Sequence, residues 1–409
     1  MAKRIVVICA ALLLVAASAL FIFFLVEDAQ VAPQAAITAT PFMQPPAVLS
    51  QPTPLLAQPT AVPKTALPLA QPVRLVWFYR PPKNGDLASL AKYFDVYILT
   101  HLDEPVRDSL RAQNKGPFLL YLRADAIQDP GGCNIEPYQN QVAYKVGDFC
   151  EIERKHPDWF LRDANGSMIS RIDPDDDTRY VRMDPGNPDW RAFFLERAQS
   201  LESLGWDGVF LDGVEASRAK FARRGAMPAK YPDDLQYQAA MQGFLEYLSV
   251  NYFRPKHRLL FANISEMGDN AIWFRYLASL DGAMQESFAV DWLDGYLSVT
   301  DWEAMAALID KTQQLDKHVI LVAQGKQADT RRELFAFASY LLVNSGRASF
   351  RYASSSAYSS LWLYPSYDID LGAPLGPRYR VSNGWRRDFE NGSVTIDLVS
   401  HSAEITLRR

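Results

Sequence analysis

The sequence predicts an α/β protein built on a (β/α)8 TIM barrel, with a small C-terminal β appendage, preceded by a transmembrane helix and a Pro-rich linker. Two observations favour the barrel. About eight apolar strand-like runs alternate with helix-like segments, and two of these runs end in a carboxylate, Asp212 and Glu286. An open doubly wound sheet is the alternative, but no glycine-rich turn follows the first run to bind a dinucleotide.

The N-terminal 72 residues differ in composition from the rest of the chain. Lys3 and Arg4 precede an uncharged apolar run from Ile5 to Val26, and a bilayer span takes about 20 such residues. Because the two basic residues precede the apolar run, the positive-inside rule predicts that everything after this run lies outside the cytoplasm. Residues 1–28 are therefore predicted to be a membrane anchor, or a cleaved signal peptide, in which case the protein is secreted. Residues 29–72, rich in Pro and Ala, are predicted to be a tether.

The predicted barrel occupies residues 73–355. Its strand-like runs are Val73–Tyr79, Phe94–Thr100, Pro117–Leu122, Gly208–Asp212, Arg258–Ile264, Gly282–Ser287, Val319–Gln324 and Ala348–Tyr352. Helical patterns lie between them, among them Asp189–Leu204, Leu235–Tyr252 and Arg331–Val343. Residues 356–409 carry regularly spaced glycines between short alternating runs, a pattern that predicts the β appendage, which either caps the barrel or helps to bind polymer.

The interval between the third and fourth runs is too long for an ordinary connection. We expect it to form a structured excursion on the active-site face. Cys133 and Cys150 lie in this excursion, and an oxidising compartment favours a disulfide between them, worth about 3 kcal/mol. Metal ligation is the weaker alternative, because none of the five histidines forms a close cluster with these cysteines.

Composition and motifs restrict the chemistry. A net charge of −5 provides no basic field for a phosphate backbone, so nucleic acid is not an expected partner. No nucleophile triad, phosphate loop or metal motif is recognisable, and no cofactor or metal is expected. The 12% of aromatic residues suit both sugar stacking and a large barrel core.

The carboxylates at strand ends are the candidates for catalysis. Glycosidic cleavage needs one acid to protonate the leaving oxygen and one carboxylate to attack or to activate water. Asp212 is the strongest candidate for the second role, and the structural alternative is a cap of the next helix. Glu286, among apolar neighbours, is the candidate acid, and the alternative is a buried hydrogen-bonded glutamate. Glu215 and Glu266 also lie just past strand ends and are rivals for the acid.

Other side chains near strand ends are candidates for binding sugar hydroxyls and ring faces. Each of them has a structural alternative in the core or at the rim, and for Asp184 that alternative is an Asp-Pro-Gly turn. The candidates are Tyr79, Arg80, His101, Asp103, Tyr121, Arg123, Asp184, Asn263, Phe288, Trp292, Gln324, Arg351 and Tyr352.

Four ordered motifs resemble those of the hypothetical glycosyl-hydrolase-like family 15, a group of predicted (β/α)8 glycosidases. The motifs are Pro157–Asp163, Met183–Pro188, Asp207–Asp212 and Arg387–Gly392, and the resemblance runs from about Leu75 to the C-terminus. The barrel is also similar to endo-α-1,4-polygalactosaminidases, whose acids lie at the ends of the fourth and sixth strands. That similarity implies the same pair, Asp212 and Glu286.

Taken together, these patterns predict a membrane-tethered extracytoplasmic glycoside hydrolase that acts on a polysaccharide or oligosaccharide. The alternative from another class is a catalytically silent barrel that binds cell-surface glycan. A correctly spaced acid pair would favour the enzyme, whereas acids in separate environments would favour the binding protein.

Overall fold

A computed structural model describes residues 73–113, 115–173, 177–265, 267, 269–292 and 294–408. The predicted membrane anchor and linker lie outside these residues. Among the described residues no helix is both long and apolar enough to cross a bilayer.

The strands are β1 (Leu75–Phe78), β2 (Phe94–Leu99), β3 (Phe118–Arg123), β4 (Ala126–Asp129), β5 (Ser170–Ile172), β6 (Arg179–Arg182), β7 (Gly208–Glu215), β8 (Leu259–Ser265), β9 (Gly282–Gln285), β10 (His318–Gln324), β11 (Ala348–Ala353), β12 (Tyr379–Val381), β13 (Gly384–Phe389), β14 (Gly392–Asp397) and β15 (Ser402–Leu407). The helices are α1 (Leu87–Tyr93), α2 (Glu104–Arg111), α3 (Asp148–Lys155), α4 (Pro188–Glu202), α5 (Ala219–Arg223), α6 (Asp234–Leu248), α7 (Asn270–Leu277), α8 (Val299–Gln314) and α9 (Thr330–Val343).

The central feature is a closed barrel of parallel strands, in the order β1, β2, β3, β7, β8, β9, β10, β11 and back to β1. The predicted (β/α)8 barrel is therefore confirmed. Each predicted strand overlaps an observed one, and α4, α6 and α9 lie within a few residues of the three predicted helices. Helix α4 begins where the sequence indicates, because the Asn187 side chain accepts hydrogen bonds from the backbone N–H of Asp189 and Trp190.

Apolar residues fill two layers. Inside the barrel, alternate residues of the strands form one cluster that includes Val76, Phe210, Phe261 and Ile320. Between the strands and the helices lies a larger cluster, to which the intervening strand residues contribute. Both faces of each barrel strand are thus buried, which explains why the strands read as continuous apolar runs.

The excursion between β3 and β7 contains a three-stranded antiparallel sheet, in the order β4-β6-β5, together with α3. A disulfide joins Cys133 to Cys150, which confirms the predicted pairing. The C-terminal residues form a four-stranded antiparallel sheet, β12-β13-β14-β15, as the alternating pattern predicted. Arg387 of this sheet donates hydrogen bonds to the backbone carbonyls of Leu341 and Asn344, at the end of α9.

Replacing both cysteines by serine is expected to lower the free energy of unfolding by about 3 kcal/mol, because the bridge closes a loop spanning 17 residues. Thermal unfolding of the wild type and the Cys133→Ser/Cys150→Ser variant, each with and without reductant, measures the effect. Reductant should destabilise only the wild type. A wild type that is equally stable with and without reductant would contradict the prediction.

Candidate active site

Asp212 lies on an irregularity of β7, the fourth strand of the barrel. The pairing of β7 with β8 shifts register between Leu211 and Val214, so the strand does not end at Asp212, as the sequence suggested, but continues to Glu215. Gly213 has a φ of +79°, and a Cβ at this position would lie 2.5 Å from the Asp125 carboxylate carbon. Glycine is therefore required here, and the bulge redirects the strand next to Asp212.

The carboxylate of Asp212 is surrounded by groups that favour its charged form. The Tyr121 hydroxyl donates a 2.6 Å hydrogen bond to Oδ2, and Asn263 Nδ2 donates a 3.1 Å hydrogen bond to Oδ1. Burial acts to raise the pKa of Asp212, but Arg123, Tyr121, Lys220 and Asn263 outweigh it and hold this pKa below its ordinary value. Asp212 is accordingly ionised at neutral pH.

Glu286 directly follows β9, the sixth strand of the barrel, and has the opposite electrostatic character. Burial, followed by the charge of Asp212, raises the pKa of Glu286 to about 7. A hydrogen bond with Asn263 and the charge of Lys220 act in the other direction but are weaker. A substantial fraction of Glu286 therefore carries a proton at neutral pH.

Asn263 of β8 connects the two acids. Its side chain is hydrogen-bonded to Asp212 and to Glu286, so the two carboxyl groups lie on either side of one amide. Asn263 is 5% exposed, and its Oδ1 atom has no hydrogen-bond partner among the residues that the structure describes. A buried acceptor without a partner is costly, and a ligand hydroxyl could satisfy it.

Glu215, a rival candidate for the acid, lies in a different environment. It is 1% exposed and forms ion pairs of 3.3 Å with both Arg182 and Lys220. Arg182 also contacts Asp125, next to the β7 bulge. Glu215 thus belongs to a buried ion-pair network that Arg182 extends to Asp125. The other rival, Glu266, lies outside the described residues.

A cleft of about 710 Å³ opens beside the acid pair. Tyr121, which donates to Asp212, lines it, as do Tyr79 and Tyr358, whose hydroxyls lie within the electrostatic reach of Glu286. Neither Asp212 nor Glu286 is part of the cleft wall, and their link to it is through these tyrosines. The full lining is Tyr79, Arg80, Lys83, Thr100, His101, Tyr121, Arg123, Tyr138, Gln139, Asn140, Asp173, Tyr180, Ser355, Ser356, Tyr358 and Ser359.

Five of the predicted binding residues line the cleft: Tyr79, Arg80, His101, Tyr121 and Arg123. Two more contact residues of the site without lining the cleft. Asn263 bridges the acids, and Gln324 donates a 2.8 Å hydrogen bond to the Tyr358 hydroxyl.

The remaining predicted binding residues lie outside the cleft lining. Asp184 forms a turn and binds Lys230 and the Tyr231 hydroxyl. Arg351 is buried and donates to the backbone carbonyls of Phe78 and Tyr358, so it holds the two segments that carry cleft tyrosines. Asp103 accepts from Thr100, Phe288 and Tyr352 are buried in the core, and Trp292 is 44% exposed.

Sequence reasoning missed a large part of the cleft wall. Tyr138, Gln139 and Asn140 come from the loop closed by the disulfide, and Tyr180 comes from β6 of the excursion. Tyr358 follows β11 within a serine-rich segment. The length of the excursion was the one available signal, since long connections on this face carry binding residues. Within the described residues no three acidic, histidine or cysteine side chains are arranged to hold a metal ion.

Tyr121→Phe removes one hydrogen bond to the ionised form of Asp212 and is expected to raise its pKa. The loss of a hydrogen bond to a charged group is expected to move the acidic limb of the pH–rate profile to higher pH by about one pH unit. The profile of kcat/KM for the wild type and the variant measures the shift. Tyr358→Phe is the matched control, because its hydroxyl is bonded to Gln324 and to neither acid. Equal acidic limbs in all three proteins would contradict the assignment.

Comparison with known proteins places the chain in a family. Residues 125–393 match the family described as hypothetical glycosyl hydrolase family 15. A comparison with curated proteins found no match. Among solved structures, the glycoside hydrolase domain of PelA from Pseudomonas aeruginosa is 18% identical, with a TM-score of 0.47, over 71% of this chain and 97% of that one.

Two further solved structures show weaker sequence identity. The α-galactosidase TtGalA from Thermus thermophilus is 14% identical, with a TM-score of 0.43, over 80% of this chain and 67% of that one. Aspergillus fumigatus Ega3, solved with galactosamine, is 12% identical, with a TM-score of 0.39, over 71% of this chain and 92% of that one. The family match alone covers more than half of the sequence. The chain therefore belongs to the hypothetical glycosyl hydrolase family 15, and with it to the glycoside hydrolases.

Proposed function

We propose that this protein hydrolyses O-glycosidic bonds of a polysaccharide with Asp212 as nucleophile or general base and Glu286 as general acid. The observation that supports this most strongly is the divergence of two neighbouring carboxyl groups. Asn263 contacts both, yet the pKa of Asp212 is lowered and that of Glu286 is raised to about 7. Two carboxyl groups tuned in opposite directions are what a glycosidase needs.

The chemistry requires only these groups and one water molecule. The protonated Glu286 donates its proton to the glycosidic oxygen as the bond between that oxygen and the anomeric carbon breaks. Asp212 either attacks the anomeric carbon, to form an intermediate that water then hydrolyses, or removes a proton from the water that attacks. In both routes the hydroxyl of water remains on the sugar, and the leaving group departs as an alcohol.

The residues around Asp212 and the cleft suit these two catalytic roles. Tyr121 and Asn263 hold the Asp212 carboxylate at two oxygens, which fixes its orientation toward the reacting carbon. Arg123 and Lys220 stabilise its charge. The cleft tyrosines offer flat faces for sugar rings and hydroxyl groups for polar contacts.

We also propose that the catalytic barrel works outside the cytoplasm, held to the membrane by the N-terminal segment or released after its cleavage. The Cys133–Cys150 disulfide supports an oxidising compartment, since such bonds are rare in the cytosol. The basic residues before the apolar run from Ile5 to Val26 support the orientation. Accessibility of the barrel to protease added to intact cells, compared with lysed cells, tests this placement.

A panel of polysaccharides and aryl glycosides, incubated with the full chain, tests the proposed activity. The expected result is the release of new reducing ends from at least one of them, at a rate far above the rate without protein. A chain that binds a glycan tightly but releases no reducing ends from it would favour the alternative, a catalytically silent binding protein.

A further inference from the structure

The cleft carries positive charge that the chain as a whole does not. The net charge of the sequence is −5, yet among the described residues the cleft lining contains the cations Arg80, Lys83 and Arg123 and one carboxylate, Asp173. That carboxylate is paired with Arg171 at 3.0 Å. At the base of the cleft, the charge of Asp212 is compensated by Arg123 and Lys220. The wall that a substrate would meet first is therefore cationic.

Arg80 and Lys83 form the outer part of this cationic wall, in the connection between β1 and α1. Both side chains are exposed, and neither forms an ion pair within the described part of the chain. Their backbone is nevertheless fixed. Trp77 Nε1 donates a 2.7 Å hydrogen bond to the Arg80 carbonyl, and the Lys83 N–H donates a 2.9 Å hydrogen bond to the Ser359 carbonyl. The loop thus holds two free charges at the rim of the cleft.

Arg123 forms the inner part of the wall, closer to the acids. It is 9% exposed, and its guanidinium stacks over the Tyr180 ring at 4.3 Å. Its ion pair with Asp125 is long at 3.9 Å, and within the described ranges its Nε atom has no hydrogen-bond partner. A buried guanidinium with an unused donor beside an open cleft is suited to an anionic ligand oxygen.

We infer that the substrate is an anionic glycan, whose sugars carry carboxylate or sulfate groups that Arg80, Lys83 and Arg123 bind. This inference rests on the proposed hydrolase function and specifies its substrate class. A neutral glycan would leave Arg80 and Lys83 without anionic partners and the Nε donor of Arg123 unused, and a cationic glycan would be repelled by the two exposed charges. The cleft, at about 710 Å³, is far larger than a single small anion requires, so the charge belongs on an extended ligand.

Binding of matched polysaccharide pairs to the full chain tests this inference. Polygalacturonate and its carboxyl-reduced form differ in carboxylates, whereas dextran sulfate and dextran differ in sulfate esters. The anionic member of at least one pair should bind at least about tenfold more tightly than its neutral partner, and the pair that responds identifies the group. Binding should also weaken as salt is raised.

Two double variants show whether binding depends on the cations of the cleft or on the net charge of the whole protein. Arg80→Gln/Lys83→Gln should weaken binding of the anionic glycan about tenfold and raise KM for an anionic substrate, while kcat changes less than about twofold. Arg254→Gln/Lys256→Gln is the matched control. It removes the same two charges from the exposed segment before β8, at the opposite end of the barrel strands, and should leave binding unchanged.

The outcomes distinguish this inference from the function on which it rests. Equal binding of charged and neutral partners, an unaffected Arg80→Gln/Lys83→Gln variant, or no binding at all would overturn the inference. Efficient hydrolysis of a neutral polysaccharide together with equal binding would overturn it and leave the hydrolase function standing. Charge-dependent binding that responds to the variant, without hydrolysis of any substrate, would support the ligand class and contradict the hydrolase function.

Discussion

Asp212→Asn is expected to lower kcat by about 1,000-fold with little change in substrate affinity. The asparagine has the same shape and still accepts the hydrogen bond from Tyr121, but it can neither attack the anomeric carbon nor remove a proton from water. The carboxylate at this position is also the group that Arg123 and Lys220 stabilise. Its charge should therefore be essential to the reaction, and its removal should also cost some stability, because the buried Arg123 loses a compensating charge.

Steady-state kinetics on any substrate that the wild type hydrolyses measures this loss. Asp207→Asn is the matched control, since Asp207 lies at the other end of the same strand and accepts a 2.8 Å hydrogen bond from the Phe118 N–H. We expect it to reduce stability somewhat and to change kcat less than about threefold, because it lies away from the acids. An Asp212→Asn protein that retains a tenth or more of wild-type kcat would remove Asp212 from the mechanism.

Glu286→Gln is expected to lower kcat by about 100- to 1,000-fold on substrates with poor leaving groups, because no proton reaches the glycosidic oxygen. Aryl glycosides with acidic leaving groups need less protonation, so they should lose much less activity. The ratio of the two losses is the signature of a general acid. Equal losses on both kinds of substrate would assign Glu286 a structural role.

The same substitution should stabilise the fold at alkaline pH. The folded protein keeps the Glu286 proton up to about pH 7, whereas the unfolded chain loses it near the ordinary value of 4.5. Stability therefore falls between these two values and stays lower above them. Removing the ionisable group should raise the free energy of unfolding at pH 8 by roughly 2 kcal/mol, after allowance for the partial exposure of the side chain.

Glu333→Gln is the matched control for both effects. Burial raises the pKa of Glu333 to about 7 as well, but this residue lies on α9, where it accepts a hydrogen bond from Ser366, and it does not line the cleft. Thermal unfolding at pH 5 and pH 8 should show a clearly larger stabilisation of both variants at the higher pH. If Glu333→Gln keeps full activity while Glu286→Gln loses it, the loss of activity comes from the place of Glu286 in the site. It then does not come from the change in stability that both variants share.

The barrel, and the placement of Asp212 and Glu286 on its fourth and sixth strands, could be predicted because their signals are local. A buried parallel strand is apolar on both faces, so each strand appears as a short continuous run, and a carboxylate directly after such a run must lie near the catalytic face. Glu286 directly follows its strand, whereas Asp212 lies at the bulge within β7. The start of α4 could also be predicted from the sequence, because Asn187 is its N-cap and Pro188 its first residue.

The rest of the site depends on contacts between residues far apart in the chain. Arg351 lies near the end of β11, as a ligand-binding residue would, but its guanidinium donates to the carbonyls of Phe78 and Tyr358 inside the protein. Asn263 was expected to contact sugar, and its position between two acids follows from the register of β8 against β7. No local pattern encodes the bulge at Gly213, because the restriction comes from Asp125, in a neighbouring segment.

The wall of the cleft was the least predictable part. Tyr138, Gln139 and Asn140 reach it only because the excursion folds back over the barrel, and the disulfide between Cys133 and Cys150 closes the loop that carries them. Their composition is that of an ordinary polar loop. Tyr358 similarly depends on the anchoring of its backbone by Arg351 and of its hydroxyl by Gln324.

The pH dependence of kcat/KM in the wild type and in Glu286→Gln tests the acid–base assignment most directly. Hydrolysis of an aryl glycoside that both proteins accept should be followed from pH 3 to pH 10. We predict that wild-type activity falls above about pH 7, as Glu286 loses its proton, and that this alkaline limb is absent from the residual activity of the variant. An alkaline limb near pH 7 that persists unchanged in Glu286→Gln would contradict the account, because some other group would then be the acid.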